Sequence, residues 1–345
     1  MFSKNIEKSI RKTFFWAIKG VLCLFLITCQ SEKKGEKTTI RQTLRLAFYN
    51  TENLFDIYDN PAIEDNDFLP EGINKWTKER YEKKIENLAQ LIDSLDATIL
   101  GLCEVENTDV LENLLQKEAL KDKKYRIVHF DSPHRKGLDV ALFYKKDFFE
   151  PILTKNFAIN LAAEPSFKTQ DILLVSGKIF SQDELHILVV HLSDENQAYR
   201  LAVARQSRVI VDEILRQKPH AQVVVMGDFN ELPTDSSLVE GIKANVKPDF
   251  EKKELFNPFY RIMEKGEGSF YQKGNWNMFD QIVFSKALLE TSSWHYIDKS
   301  ASIFSPPYAK TKQKPLPTFG EKKYWAGYSD HFPVFIDIFR ELEKP

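Results

Sequence analysis

What most constrains this chain is a series of short apolar runs that start or stop on a polar residue. Leu44, Leu46 and Phe48 alternate with Arg45, Ala47 and Tyr49, the period-2 pattern of a strand, and the run ends at Asn50. Further strand-like runs are Thr98–Leu102, Leu138–Tyr144, Ile172–Ile179, His186–His191, Gln222–Met226, Gln281–Phe284 and Pro333–Ile338. Many short strands in one chain point to stacked sheets. Three stretches carry the helical period instead. Tyr81, Ile85, Leu88, Ile92 and Leu95 follow Thr77, a candidate N-cap; Val110–Leu115 is shorter; in Leu201–Leu215 the residues Val209, Ile210 and Ile214 are expected to face inward. The 345 residues are 43% hydrophobic and 28% charged, ample for one large core, and no repeat of solenoid or propeller period is present. The expectation is a single α/β domain over 42–341: a four-layer α/β sandwich of two mixed, mainly antiparallel β-sheets flanked by helices.

The polar residues that interrupt these runs fall into two sets. Asn50 and Glu52, Glu104, His191, and Asp228 with Asn230 all follow strands, whereas Asp280 and Ser329-Asp330-His331 precede them. If the second group of strands runs antiparallel to the first, both sets meet on one rim of the sandwich. A carboxylate such as Glu104, directly after a buried strand, needs a partner there.

In chain order, Phe48-Tyr49-Asn50-Thr51-Glu52-Asn53, Gly101-Leu102-Cys103-Glu104-Val105-Glu106, Val190-His191-Leu192, Gly227-Asp228-Phe229-Asn230, Phe279-Asp280-Gln281-Ile282 and Ser329-Asp330-His331-Phe332-Pro333 resemble the motif series of the endonuclease/exonuclease/phosphatase superfamily. The resemblance extends from Leu44 to Ile338 and implies hydrolysis of a phosphoester at a Mg²⁺ or Mn²⁺ site. Such hard cations take oxygen ligands. Glu104 is the first expected ligand, with Asn50, Glu52 and Asp330 near it. The resemblance further implies that Asp228 orients and deprotonates the attacking water. Asn230 and His191 donate hydrogen bonds to phosphoryl oxygens, and His331 pairs with Asp280, whose carboxylate fixes its tautomer. One-metal chemistry is the expectation, with a two-metal arrangement as the alternative. Cys103 departs from the family, where many members carry Gln, and is read as a buried, unreactive thiol. His129, His134, His186, His220 and His295 are read as surface or supporting residues.

Core motifs do not choose among nucleases, sphingomyelinases and phosphatases, so the substrate must be read from peripheral loops. Asp131-Ser132-Pro133-His134-Arg135-Lys136-Gly137-Leu138-Asp139 resembles a substrate-side loop of the family, with Arg135 as a phosphate clamp and Asp139 beneath the site. Between Tyr308 and Trp325, lysines including Lys310 interleave with aromatics including Tyr324 and Trp325. Aromatics stack on bases while lysines neutralise phosphates, so a nuclease acting on DNA or RNA is expected. A sphingomyelinase-like enzyme and a small-substrate phosphatase are alternatives. A non-catalytic binding module is another, although such a protein would normally have lost Asp228 or His331.

The N-terminus is organised differently. Lys4, Lys8, Arg11 and Lys12 precede an apolar stretch from Phe14 to Thr28, which is the order of a secretory signal. Its uninterrupted part, Val21 to Thr28, falls well short of the roughly 20 residues that span a bilayer. Leu26-Ile27-Thr28-Cys29 resembles a bacterial lipobox, which would make residues 1–28 a signal peptide, Cys29 the lipidated residue, and 29–41 a flexible tether at the outer membrane. An ordinary signal peptide with an incidental Cys29 is the alternative. Removing residues 1–28, with five basic groups and one acid, takes the formal charge from −2 to about −6. Only Cys103 would then remain as a thiol, excluding an intramolecular disulfide. No protein partner is evident, and a monomer is expected.

Overall fold

The computed structural model describes residues 39–159, 161, 164, 166–192, 196–290, 293–320 and 323–343, so the expected signal peptide and lipidation at Cys29 fall outside the described residues. In chain order the principal strands are β1 (Thr39–Leu54), β2 (Ile99–Val105), β3 (Tyr125–His129), β4 (Asp139–Lys145), β5 (Phe149–Phe157), β6 (Ile172–Ile179), β7 (Asp183–His191), β8 (Gln222–Asp228), β9 (Asp280–Phe284) and β10 (Val334–Glu343). The helices are α1 (Lys78–Leu95), α2 (Thr108–Leu115) and α3 (Gln197–Gln217).

One sheet runs β10-β1-β2-β4-β3, and the other runs β5-β6-β7-β8-β9, each extended at an edge by two-residue strands. Within each principal run one pair is parallel, β1 with β2 and β7 with β8, and the rest are antiparallel. A parallel pair needs a crossover. Helix α1 supplies the first and α3 the second, which puts helices on the outer faces. The period-2 pattern then sorts side chains by layer. Leu44, Leu46 and Phe48 join Val175, Ile187, Val224, Met226 and Ile282 between the sheets. Ala47, Tyr49, Leu100 and Leu102 pack on Ile85, Leu88 and Ile92 of α1. On the opposite side, Leu188, Val190, Val223 and Val225 meet Val203, Ala204, Val211 and Leu215 of α3. These layers are the expected sandwich.

Two local expectations are corrected, and two strands lie where none was expected. Thr39, Ile40 and Arg41 pair with Glu343, Leu342 and Glu341, so the ladder begins inside the expected tether and continues past residue 341. Val209 is 67% exposed, because the buried stripe of α3 runs through Val203, Ser207, Ile210, Val211 and Leu215 and passes it by. Strands β3 and β5 were not foreseen. β5 has a largely solvated edge with no apolar alternation to read.

Candidate active site

Antiparallel pairing in the second sheet brings the two polar sets together. β8 and β9 place Asp228 directly opposite Asp280, and the parallel pair β7–β8 places His191 beside Asp228. Close packing between these strands depends on Gly227, since a Cβ there would stand 2.2 Å from the Val190 carbonyl oxygen. In the first sheet, β1 and β2 carry Asn50 and Glu104 to the same rim, and β10 begins just after Asp330 and His331.

The backbone is irregular where these side chains leave the sheets. Cys103 pairs with Val140 and Val105 with Asp139, so Glu104 is the extra residue of a bulge, with a left-handed φ of 59°. Glu52 and Asn53 (53° and 52°) and Asn230 (47°) share that conformation. Bulges re-aim side chains, and left-handed non-glycine residues store strain where the surrounding structure holds them.

The aimed groups form one connected set. The Asn50 amide Nδ2 donates to Glu104 Oε1 at 2.9 Å and to Asp228 Oδ2 at 3.0 Å. Glu104 Oε2 accepts from the Asn53 N–H at 2.8 Å. Asp228 Oδ1 accepts from the Asn230 N–H, while Oδ2 lies 3.8 Å from His331 Nε2 and 3.9 Å from His191 Nε2. Nδ1 of His331 meets Asp280 Oδ2 at 2.7 Å, and its ring stacks on Phe270 with centroids 4.5 Å apart. Asn230 donates through Nδ2 to the Leu192 carbonyl and sits 3.4 Å from His191 Nε2. Above them opens a cleft of about 720 Å³, lined by Glu104, His191, Asp228, Asn230, Asp330 and His331.

The electrostatics follow from this crowding. Burial alone would lower the His331 pKa, but Asp280 and Asp228 outweigh it and hold the imidazole well above its usual range. Asp280 is raised by burial, which His331 only partly offsets. Asp330 keeps 41% of its side chain open to the cleft, yet enclosure in the protein and then the charges of Glu52 and Glu104 push its carboxyl up to about 8. Such accumulated negative charge is what a cation would relieve. Glu104, Asp228 and Asp330 face the cleft with hard oxygen donors, so the residues present fit a divalent ion.

The other expected site residues are placed differently from the expectation. Glu52 points away from the cleft: its carboxylate accepts the N–H groups of Thr318 and Phe319 and stands 3.8 Å from Lys84 Nζ. Asn50 is 1% exposed beneath the floor, and its Oδ1 already accepts the Glu52 N–H. Asp139 also lies outside the cleft, bound to His129 and Ser132. Arg135 reaches the rim with its guanidinium on Glu64. Lys310, Tyr324 and Trp325 do not line the cleft. Lys310 pairs across a small hairpin with Pro315, Tyr324 packs on Phe319 under Arg80, and the Trp325 indole lies over Gly320. Cys103 is fully buried between the sheets, and burial pushes its thiol well up.

Several groups at the cleft carry little or no signal in the sequence. Lys168, Gln170 and Arg200 line the cleft from loops and a helix start, where no periodicity marks an inward face. Lys84 is fully buried in α1 and donates to Thr318 Oγ1 and the Tyr328 carbonyl, tying the helix to the segment before Asp330. Its signal was a lysine one residue before Ile85 on the apolar stripe.

A sandwich whose facing strand ends present a carboxylate, an amide and an Asp-paired imidazole to one polar cleft has the framework of a metal-assisted phosphoester hydrolase. The chain belongs to the endonuclease/exonuclease/phosphatase family, whose sequence pattern it matches over residues 45–340. No curated protein sequence matches it. Among solved structures it is similar to an endonuclease/exonuclease/phosphatase family protein from Bacteroides thetaiotaomicron, at 18% identity and TM-score 0.59, over 88% of this chain and 100% of that one. A mannosyl-6-phosphatase from the same organism aligns at 18% identity and TM-score 0.57, over 86% and 99%. The human Nocturnin catalytic domain aligns at 18% identity and TM-score 0.56, over 88% and 97%. These likenesses establish the shared fold.

Proposed function

We propose that this chain hydrolyses phosphoesters by activated-water attack, with Mg²⁺ or Mn²⁺ held by Glu104 and Asp330. The observation that carries this reading is the chain of contacts from Glu104 through Asn50 to Asp228, with His331 on Asp280 facing it. When bound, the cation supplies Lewis-acid polarisation of a phosphoryl oxygen. Asp228 takes the proton of the attacking water, oriented by Asn50 and the Asn230 backbone. His331, kept cationic by Asp280, offsets charge building on the phosphoryl oxygens, and His191 and Asn230 donate to them from the side.

Nucleic acid is the substrate we favour. Arg135, Lys136, Lys168 and Arg200 surround the cleft and suit phosphates flanking the one cleaved. A compact phosphoester, such as a sugar phosphate, is the second reading. It is favoured by the position of Lys310, Tyr324 and Trp325 outside the cleft, which leaves bases without the expected stacking platform. The protein incubated with plasmid DNA, RNA, sphingomyelin and a phosphate monoester, with Mg²⁺ and with chelator, separates these. Cleavage of DNA or RNA lost with chelator is the expected result. Intact nucleic acid beside a hydrolysed monoester transfers the assignment to the second reading, and no cleavage at all favours a binding module.

We further propose export and acylation at Cys29, which would tether a monomeric domain to the outer membrane of a bacterial envelope. Expressed in a bacterium, the protein should partition with membranes and Cys29→Ala should release it to the soluble fraction. Equal partitioning of both rejects the anchor.

A further inference from the structure

Behind one wall of the cleft stands a set of lysines that the chemistry at Asp228 does not use. The wall is a hairpin, Phe270–Gln272 paired with Asn275–Asn277, and a bridge from Phe270 to His331 joins it to the backbone of the site. Side chains alternate along such a strand. Phe270 and Gln272 line the cleft, whereas Tyr271 between them carries Lys314, whose Nζ lies 3.5 Å from the ring centroid. Lys314 belongs to a second hairpin, Lys310–Thr311 with Lys314–Pro315, and left-handed backbone at Lys312 and Gln313 makes its turn. Lys273 occupies the turn of the first hairpin, also left-handed. Among the described residues none of Lys273, Lys310, Lys312 and Lys314 holds a carboxylate, in contrast to Lys117, Lys124 and Lys218. Residues 270–277 and 310–320 contain no Asp or Glu, so nothing in either segment offsets the four charges. The lysines also sit at the rim. Just past the second hairpin, the N–H groups of Thr318 and Phe319 are bound by Glu52 near the end of β1, whereas β1 begins, at Thr39, at the far end of a 16-residue strand.

We infer that these lysines form an exosite for the sugar-phosphate backbone of a single-stranded nucleic acid that leaves the cleft over Phe270 and Gln272. The inference rests on the nucleic-acid reading of the cleft and extends it. A linear polyanion connects the two places: phosphates near the scissile one meet Arg135, Lys136 and Lys168, and those further along meet Lys314, Lys310 and Lys312. A compact phosphoester has no group to place behind the wall. A membrane surface fits less well, because the lysines share their rim with an open cleft and lie at the end of β1 away from Thr39. A flexible single strand suits the path better than a duplex, since the backbone must bend over the hairpin. No base has to stack there, so the inward turn of Tyr324 is no obstacle. Lysines that neutralise phosphates release counterions, which gives the exosite a signature in salt dependence.

The test measures binding by the full-length protein carrying Asp228→Asn, in Mg²⁺, so that a strand is held and not cut. The probes are thymidine strands of about 20 and about 4 nucleotides. Lys310→Gln, Lys312→Gln and Lys314→Gln together should weaken the long strand about tenfold and lower the slope of log affinity against log salt by about 2. Affinity for the short strand should stay within about twofold. A charge-matched control, Lys218→Gln, Lys252→Gln and Lys286→Gln at the end of the second sheet opposite the rim, should bind both strands as the parent does. Equal affinity of the parent for the two lengths, an unchanged long strand in the triple variant, or an equal loss for both lengths overturns the exosite. So does a triple variant that loses only its binding to phosphatidylglycerol vesicles, which assigns the lysines to a membrane. Cleavage is scored separately with Asp228 intact. A strand left uncut, whose binding still depends on the three lysines, refutes the nuclease reading and leaves the exosite standing.

Discussion

Asp228 is the residue on which the site converges: it touches Asn50 and the Asn230 N–H, and two imidazoles lie within 4 Å. Replacing it with alanine should abolish turnover while circular dichroism stays unchanged, and His331→Ala should do the same. Asp280 acts through His331, so Asp280→Asn should lower kcat by about 10²–10⁴-fold through loss of the imidazolium and its orientation. Near-normal kcat in any of the three would mean the site is misplaced. These residues were legible because a strand end leaves its polar side chains at a rim, whichever sheet holds it. Tyr324 and Trp325 misled for the converse reason. Interleaved lysines and aromatics report a composition, and composition does not say which way a ring faces; here Tyr324 turns back onto Phe319 and Arg80.

At the scale of the element, the irregular end of β1 and the bulge in β2 separate two carboxylates that the sequence pattern assigns one job. Left-handed backbone at Glu52 and Asn53 turns Glu52 toward Thr318, Phe319 and Lys84, whereas the bulge at Glu104 turns its carboxylate into the cleft. Residue spacing could not reveal this, because a single left-handed residue reverses a side chain without changing the apolar pattern around it. The consequence is measurable by Mn²⁺ titration calorimetry. Glu104→Gln should weaken binding by about 10–100-fold, as loss of a ligand or its close support does. Glu52→Gln should leave affinity within about threefold and lower Tm instead, because Lys84 then stays buried beside a neutral group. Comparable loss of Mn²⁺ affinity in both variants would restore Glu52 to the metal.

Across the whole molecule, the cleft exists because two sheets built on different connections are held in one stacking. Glu104 comes from one sheet and Asp228 and His191 from the other, and the Asn50 amide spans the gap between them. The layer beneath must therefore keep the rims in register. Phe48 is fully buried in that layer, two residues below Asn50. Its alternation with Ala47 and Tyr49 already predicted which face it takes, though not which strands oppose it, since pairing between distant runs is set by tertiary packing. Phe48→Ala should cost about 3–5 kcal/mol of stability from lost burial and the cavity left behind. Part of that loss should reach the site, as a fall in kcat at temperatures where the variant remains folded. Val209, on the exposed face of α3, has no such connection, and Val209→Ser should change stability by less than about 0.5 kcal/mol and leave kcat alone. Denaturant unfolding paired with single-temperature kinetics reads both quantities. A folded Phe48→Ala protein with unaltered kcat would show that the rims are held by their own hydrogen bonds, without help from the core below.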